Sequence, residues 1–232
     1  MASQLVPMPQ GHSLEAIFTP PPVSGPAHPP RLAVLLHPWS WLGGRMHDHV
    51  IQTLSSSFIQ RGFHTIVFNS RGVGASTGRA SFTGFLEVED LKEIIKWGVS
   101  KIQNVPSVTI LGYSHGSLIA SLHPLLDPPI STSHILLSYP LSTRSLLTLF
   151  KSSTYSSGLR SLLQEPSSNV LIIYGDEDNF TSISQYKKWT GELLKITRGR
   201  LKTYEVEDAD HFWRGESGER MWERIESWLD ES

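Results

Sequence analysis

Residues 108–122 read VTILGYSHGSLIASL. Val108, Thr109, Ile110 and Leu111 form a short apolar run rich in branched side chains, the signature of a strand covered on both faces. Gly112, Tyr113, Ser114, His115 and Gly116 follow, and from Ser117 the pattern becomes helical. Two glycines bracketing a serine between strand and helix predict a tight turn that raises the serine hydroxyl clear of a sheet. Ser114 is therefore a candidate nucleophile. The plainer alternative is a small residue filling a turn.

The same G-x-S-x-G spacing recurs in GASTG around Ser76. A bare match is weak in a chain with 18 glycines, so context must decide. Ser76 sits in NSRGVGASTGRASFTG, with no apolar periodicity until about Leu86. It reads as a loop serine.

Outward from residue 108, apolar runs alternate with amphipathic ones. RLAVLLH precedes a helical stretch from Met46 to Arg61, FHTIVFN one from Leu86 to Ile102, and VTILGY one from Ser114 to Leu126. SHILLSY leads into a less regular stretch, Leu141 to Ser168. NVLIIYG then precedes a helix from about Ser182 to Lys195, and LKTYEV one from Glu216 to Leu229. Strands taking turns with helices predict an α/β fold with a mostly parallel central sheet and helices on both faces. The N-terminal region is proline-rich, with one convincing strand from about Ser13 to Phe18. The turn-rich TPPPVSGPAHPP after it reads as an exposed hairpin connection. The whole chain, 1–232, reads as a single domain, with 141–168 a short lid-like insertion.

Composition narrows the function. The formal net charge is −2, 18% of residues are charged, and there is no basic stripe or acidic tail. This points away from nucleic acid and toward a small, weakly charged partner. The chain has no cysteine, which leaves serine as the obvious covalent candidate. No lysine or arginine precedes Arg31, no signal-like apolar segment follows Met1, and no run approaches the roughly 18 apolar residues of a membrane span. The expectation is a soluble cytoplasmic protein, a monomer by default.

A serine nucleophile needs a base, an acid that orients the base, and an oxyanion site. NVLIIYGDEDNF runs from a strand into a loop with Asp176 and Asp178, and LKTYEVEDADHFW into a loop with His211. All three groups would lie at carboxyl ends of strands, where open parallel sheets place their chemistry. The chain order is serine, aspartate, histidine.

With GYSHG, the segments LLHPWSWLGGRM, FNSRGVGASTG, YGDEDNF and DADHFW resemble those of the α/β-hydrolase superfamily over nearly the whole chain after the N-terminal hairpin. The nearest likeness is to small, lid-poor serine esterases resembling dienelactone hydrolase-like proteins. The resemblance implies Ser114 as nucleophile, His211 as base, and Asp178 as the acid, three residues after the glycine that ends its strand. Asp176 is the understudy, suited to loop hydrogen bonding. Asp208 and Asp210 would shape the histidine loop. The resemblance also implies two oxyanion donors, the backbone N–H groups of His115 and Trp39. Pro38 lacks an amide hydrogen and stands where many members have glycine. It implies ester hydrolysis through an acyl-enzyme, thioesters and lactones following, with a small-molecule ester as substrate and no cofactor or metal. Acyl transfer by the same residues, or a non-catalytic binding role on this fold, are the alternatives.

Three other features have plainer readings. The pair His47 and His49 invites a metal, but positions i and i+2 of a helix do not share a face. Arg71 in RGVGASTG reads as a hydrogen-bonding anchor near the site's rim, and Trp189, Trp222 and Trp228 as helix-on-sheet packing.

Overall fold

The structure is a computed structural model that describes residues 2–22 and 29–231. Its strands are β1 (Gln4–Pro7), β2 (Ser13–Thr19), β3 (Arg31–Leu36), β4 (Phe63–Phe68), β5 (Ser107–Tyr113), β6 (Ser131–Leu137), β7 (Asn169–Gly175) and β8 (Arg200–Val206). Its helices are α1 (His49–Gln60), α2 (Phe85–Ser100), α3 (His115–Ser121), α4 (Arg144–Leu147), α5 (Ser152–Gln164), α6 (Ile183–Ile196) and α7 (Glu216–Asp230).

The eight strands form one sheet in the order β1-β2-β4-β3-β5-β6-β7-β8. β1 with β2, and β2 with β4, pair antiparallel; every other pair is parallel. The expected mostly parallel sheet with an N-terminal antiparallel hairpin is therefore present. Strand side chains alternate between two cores. Leu32, Val34 and Leu36 of β3 join a core covered by α2, α3, α5 and α6, while Ala33 and Leu35 face one covered by α1 and α7. Burial on both faces explains why the parallel strands read as continuous apolar runs.

Local chemistry sets the helix ends. The Asp48 side chain accepts from Val50 N at 2.9 Å and caps α1. Ser182 and Gln185 form a capping box on α6. Pro124 follows α3 within a few residues, and α3 ends at Ser121, earlier than its apolar pattern predicts.

Two expectations are corrected. β2 pairs with β1 and β4, while β3 pairs with β4 and β5. The stretch 19–30 therefore does not join two paired strands as a hairpin connection would, and its residues 23–28 lie outside the described ones. The hairpin is β1–β2, closed at Met8–His12 by Met8 N donating to His12 O at 2.8 Å. β1 is only four residues long and ends on Pro7, so it offers no alternation to read. Second, the irregular stretch 141–168 holds a 13-residue helix, α5, with Tyr155, Leu159, Leu162 and Leu163 buried. It is the crossover helix between β6 and β7. Its serines and Gly158 mask the helical period.

Arg71 is the anchor that the sequence suggests. It is buried and donates to both oxygens of Asp90, at 2.7 and 2.6 Å, and to Leu86 O at 3.1 Å. His12 donates to the same carboxylate at 2.9 Å, which ties the hairpin to α2. No helix among the described residues is long and apolar enough to cross a membrane.

Candidate active site

Ser114 stands between β5 and α3 with φ 54° and ψ −118°, a conformation that costs an L residue on the order of 1–3 kcal/mol. The elbow is held from outside. Ser114 N donates to Leu137 O at 2.9 Å, and Ser117 Oγ donates to Ser114 O at 2.6 Å. The flanking glycines are required by close approach. A Cβ on Gly112 would meet Gly116 O at 2.2 Å, and one on Gly116 would meet Leu36 O at 2.5 Å.

β8 leads into the loop that carries His211. Trp213, buried at φ 52°, donates Nε1–H to Ser138 Oγ at 2.9 Å, and Asp210 Oδ1 accepts from Phe212 N and Trp213 N at 2.8 and 3.2 Å. Asp210 thus shapes the loop and does not touch the ring. β7 leads into the loop with both candidate acids, and their partners separate them. Asp176 Oδ1 accepts from Ala209 N at 3.3 Å. Asp178 Oδ2 accepts from His211 Nδ1 at 2.7 Å, while its Oδ1 accepts from Phe180 N and Thr181 N at 2.9 and 3.0 Å. With Nδ1–H directed at the carboxylate, His211 Nε2 lies 3.0 Å from Ser114 Oγ as an acceptor.

The structure therefore brings Ser114, His211 and Asp178 into one hydrogen-bonded line, all three buried. Ser76 is elsewhere. It is buried, accepts from Glu15 N at 2.8 Å and donates to Asn69 O at 2.7 Å, a loop anchor. His49 donates Nε2–H to Phe212 O at 2.7 Å, and His47 precedes α1.

Several contributors carry no sequence motif. Tyr113 donates its hydroxyl to His211 O at 2.8 Å, and burial pushes its phenol pKa up, so the group stays a donor. Tyr186, raised by burial and then by Asp178, points its hydroxyl at Asp178 Oδ2 from 3.4 Å. The Phe180 ring stands edge-on to His211 with centroids 4.5 Å apart. His37 has both ring nitrogens engaged, Nδ1–H to Pro38 O at 2.6 Å and Nε2 accepting from Ser70 N at 3.0 Å. Burial lowers its pKa to about 4. It stays neutral near pH 7 and fixes the chain entering Pro38 and Trp39. His115 is lowered to about 4, first by burial and then by His37.

Trp39 precedes a 3-10 turn at Ser40–Leu42, and its carbonyl accepts from Leu42 N and Gly44 N at 3.1 Å. The backbone N–H groups of Trp39 and His115 have no protein acceptor among the described residues. A cavity of about 310 Å³ opens over Ser114 and His211, walled by Trp39, Leu42, Leu147 and Phe180 among others. This is at the lower end of ligand-sized cavities. Asp48 is the one carboxylate in its wall, with Oδ1 held by Val50 N.

A strained serine on a strand–helix elbow, aligned with a histidine and an aspartate above an eight-stranded sheet, defines an α/β hydrolase. The sequence model of the family described as X-Pro dipeptidyl-peptidase (S15 family) matches residues 11–144, more than half of the chain, and the chain belongs to that family. An α/β-hydrolase candidate of unknown function from Agrobacterium tumefaciens is 26% identical, with a TM-score of 0.77 over 98% of this chain and 94% of that one. An alpha-beta serine hydrolase homologue from Coxiella burnetii is 25% identical, with a TM-score of 0.74 over 100% and 98%. An uncharacterized protein of Rickettsia prowazekii is 27% identical over 79% of this chain and 72% of its own. The finer likeness to dienelactone hydrolase-like proteins stays a resemblance of motifs.

Proposed function

We propose that the protein is a serine hydrolase that cleaves carboxylic esters, thioesters and lactones being close relatives of that substrate. Ser114 Oγ attacks the carbonyl carbon while His211 Nε2 takes its proton. Asp178 holds the Nδ1–H tautomer and stabilises the imidazolium that forms. The negative oxygen of the tetrahedral intermediate is met by the N–H groups of Trp39 and His115. Collapse expels the alcohol, protonated by His211, and leaves an acyl group on Ser114. Water, deprotonated by the same nitrogen, then releases the acid.

The observation that carries this reading is the line Ser114 Oγ, His211 Nε2, His211 Nδ1, Asp178 Oδ2, with links of 3.0 and 2.7 Å beneath a mostly apolar cavity. Two N–H groups without protein acceptors beside the elbow support the oxyanion assignment. In this reading the lid is confined to about Leu141–Leu147, because Thr143, Leu146 and Leu147 border the cavity while α5 is part of the core. A second reading, peptide cleavage after proline, rests on the family's description alone. A panel of p-nitrophenyl esters of increasing acyl length, run beside Xaa-Pro-p-nitroanilides, separates the two. Ester turnover with a burst of p-nitrophenol is expected. Turnover of the anilides alone would replace the ester reading.

A further inference from the structure

Among the described residues, nine large apolar side chains are exposed; Leu5 and Leu194 aside, five of them line the Ser114 cavity or the cavity beside it, and Leu86 and Phe150 adjoin lining residues in the chain. These seven come from three segments, 39–47, 79–86 and 141–152. Trp41 and Leu42 stand on the first, Phe82 and Leu86 on the second, and Leu146, Leu149 and Phe150 on the third. The segments meet in space. Trp41 stacks on Trp39 with centroids 5.7 Å apart and meets Phe82 edge-on at 6.5 Å. A second cavity of about 230 Å³ between them shares Trp39, Leu146 and Leu147 with the wall of the first. Exposed apolar surface gathered this way marks an interaction face.

The three segments carry charge of one sign only. The three segments contain no aspartate or glutamate, although the whole chain has 22 acidic residues against 20 lysines and arginines. Arg45, Arg79 and Lys151 are exposed on them, and none is in an ion pair. The carboxylates in the cavity walls are turned to protein donors, Asp48 to Val50 N and Glu87 to Ser81 N. The backbone also holds the apolar groups outward. Leu149 and Phe150 are consecutive non-glycine residues at φ 45° and 62°, and Phe150 is 78% exposed while Thr148 is fully buried. L residues avoid this region, and paired violations of local preference concentrate where function requires them.

We propose that this face docks on an anionic phospholipid bilayer and that the enzyme draws from it an ester with an apolar acyl chain; the second half rests on the esterase reading above. Tryptophan, phenylalanine and leucine flanked by arginine and lysine is the composition of surfaces that sit in the headgroup region. An acyl chain held in the cavities leaves Phe150 unexplained, because it lines neither. A second copy of the chain is disfavoured, since a two-fold contact sets this face against itself and brings its cations together.

The test is co-sedimentation of the full chain with vesicles of phosphatidylcholine alone and of equimolar phosphatidylcholine and phosphatidylglycerol. Binding to the anionic vesicles, weakened by salt, is expected. Lys151→Ala should reduce it about fivefold, and Phe150→Asp should abolish it. Both variants should turn over soluble p-nitrophenyl acetate at the wild-type rate, which reports that they are folded. Absence of binding to either vesicle overturns the proposal, as does binding indifferent to Phe150→Asp, or a concentration-dependent dimer that Phe150→Asp dissolves. Binding without faster cleavage of a long-chain ester carried in the vesicles than Phe150→Asp achieves overturns the substrate half. A protein that binds vesicles but is not labelled by a fluorophosphonate keeps the docking face and loses the esterase reading. One that is labelled and ignores vesicles does the opposite.

Discussion

The Tyr113 hydroxyl donates to the backbone carbonyl of His211 at 2.8 Å, joining the residue before the elbow serine to the loop of the histidine 98 positions later. The link is buried and independent of the side-chain line through Ser114. It fixes the His211 backbone, while Asp178 fixes the ring. Tyr113→Phe leaves that carbonyl without its donor at a cost of about 1–3 kcal/mol. Denaturant midpoints should fall accordingly. In the esterase reading kcat should drop by up to about 100-fold with KM little changed. Unchanged stability and rate would make the contact incidental.

The two acids near His211 have different partners and should behave differently. Asp178→Asn disturbs the tautomer presented to Ser114 and should lower kcat by roughly 10⁴-fold. Asp176→Asn alters one loop contact, to Ala209 N, and should stay within about tenfold. Steady-state kinetics on p-nitrophenyl acetate decides. The reverse ranking would exchange the two roles.

Gly116 has no room for a methyl group, because its Cβ would lie 2.5 Å from Leu36 O and 2.8 Å from His37 O, both backbone atoms. Gly116→Ala should destabilise the protein by at least about 1–3 kcal/mol, or about 2–4 °C in Tm per kcal/mol for a chain of this size. Calorimetry beside the wild type checks this. An unchanged Tm would mean that the elbow yields easily.

Acid should destabilise the fold through its buried histidines. Burial lowers His37 and His123 to about 4 and His134 to about 3, from 6.5. Above pH 6.5 these rings are neutral in both the folded and the unfolded chain and give no pH dependence. Below it the unfolded chain takes up protons that the folded one refuses, so stability falls as pH drops from about 6.5 toward 4. Each such group contributes at most about 1.4 kcal/mol per pH unit. Chemical denaturation at pH 7, 6 and 5 measures this. A flat profile would contradict the burial of these rings as neutral groups.

Much of this was legible in the sequence because burial on two faces writes strands as unbroken apolar runs, as in RLAVLL and NVLIIYG. Ser114 could be separated from Ser76 because only the former has a strand behind it and a helix ahead. α5 escaped because serines and a glycine interrupt its buried stripe, and β1 because four residues give no period. Tyr113 and His37 escaped for another reason. Their roles depend on backbone carbonyls and amides far along the chain, and no residue type advertises those. The exposed rim was unreadable until three distant segments were folded onto one mouth.

The central claim is that Ser114 is the nucleophile. Intact-mass and peptide analysis after treatment with a fluorophosphonate tests it most directly. One adduct on the peptide containing Ser114 is predicted, together with loss of both adduct and p-nitrophenyl acetate turnover in a folded Ser114→Ala variant. An adduct that persists in Ser114→Ala, or folded wild-type protein that takes up no probe, would contradict it.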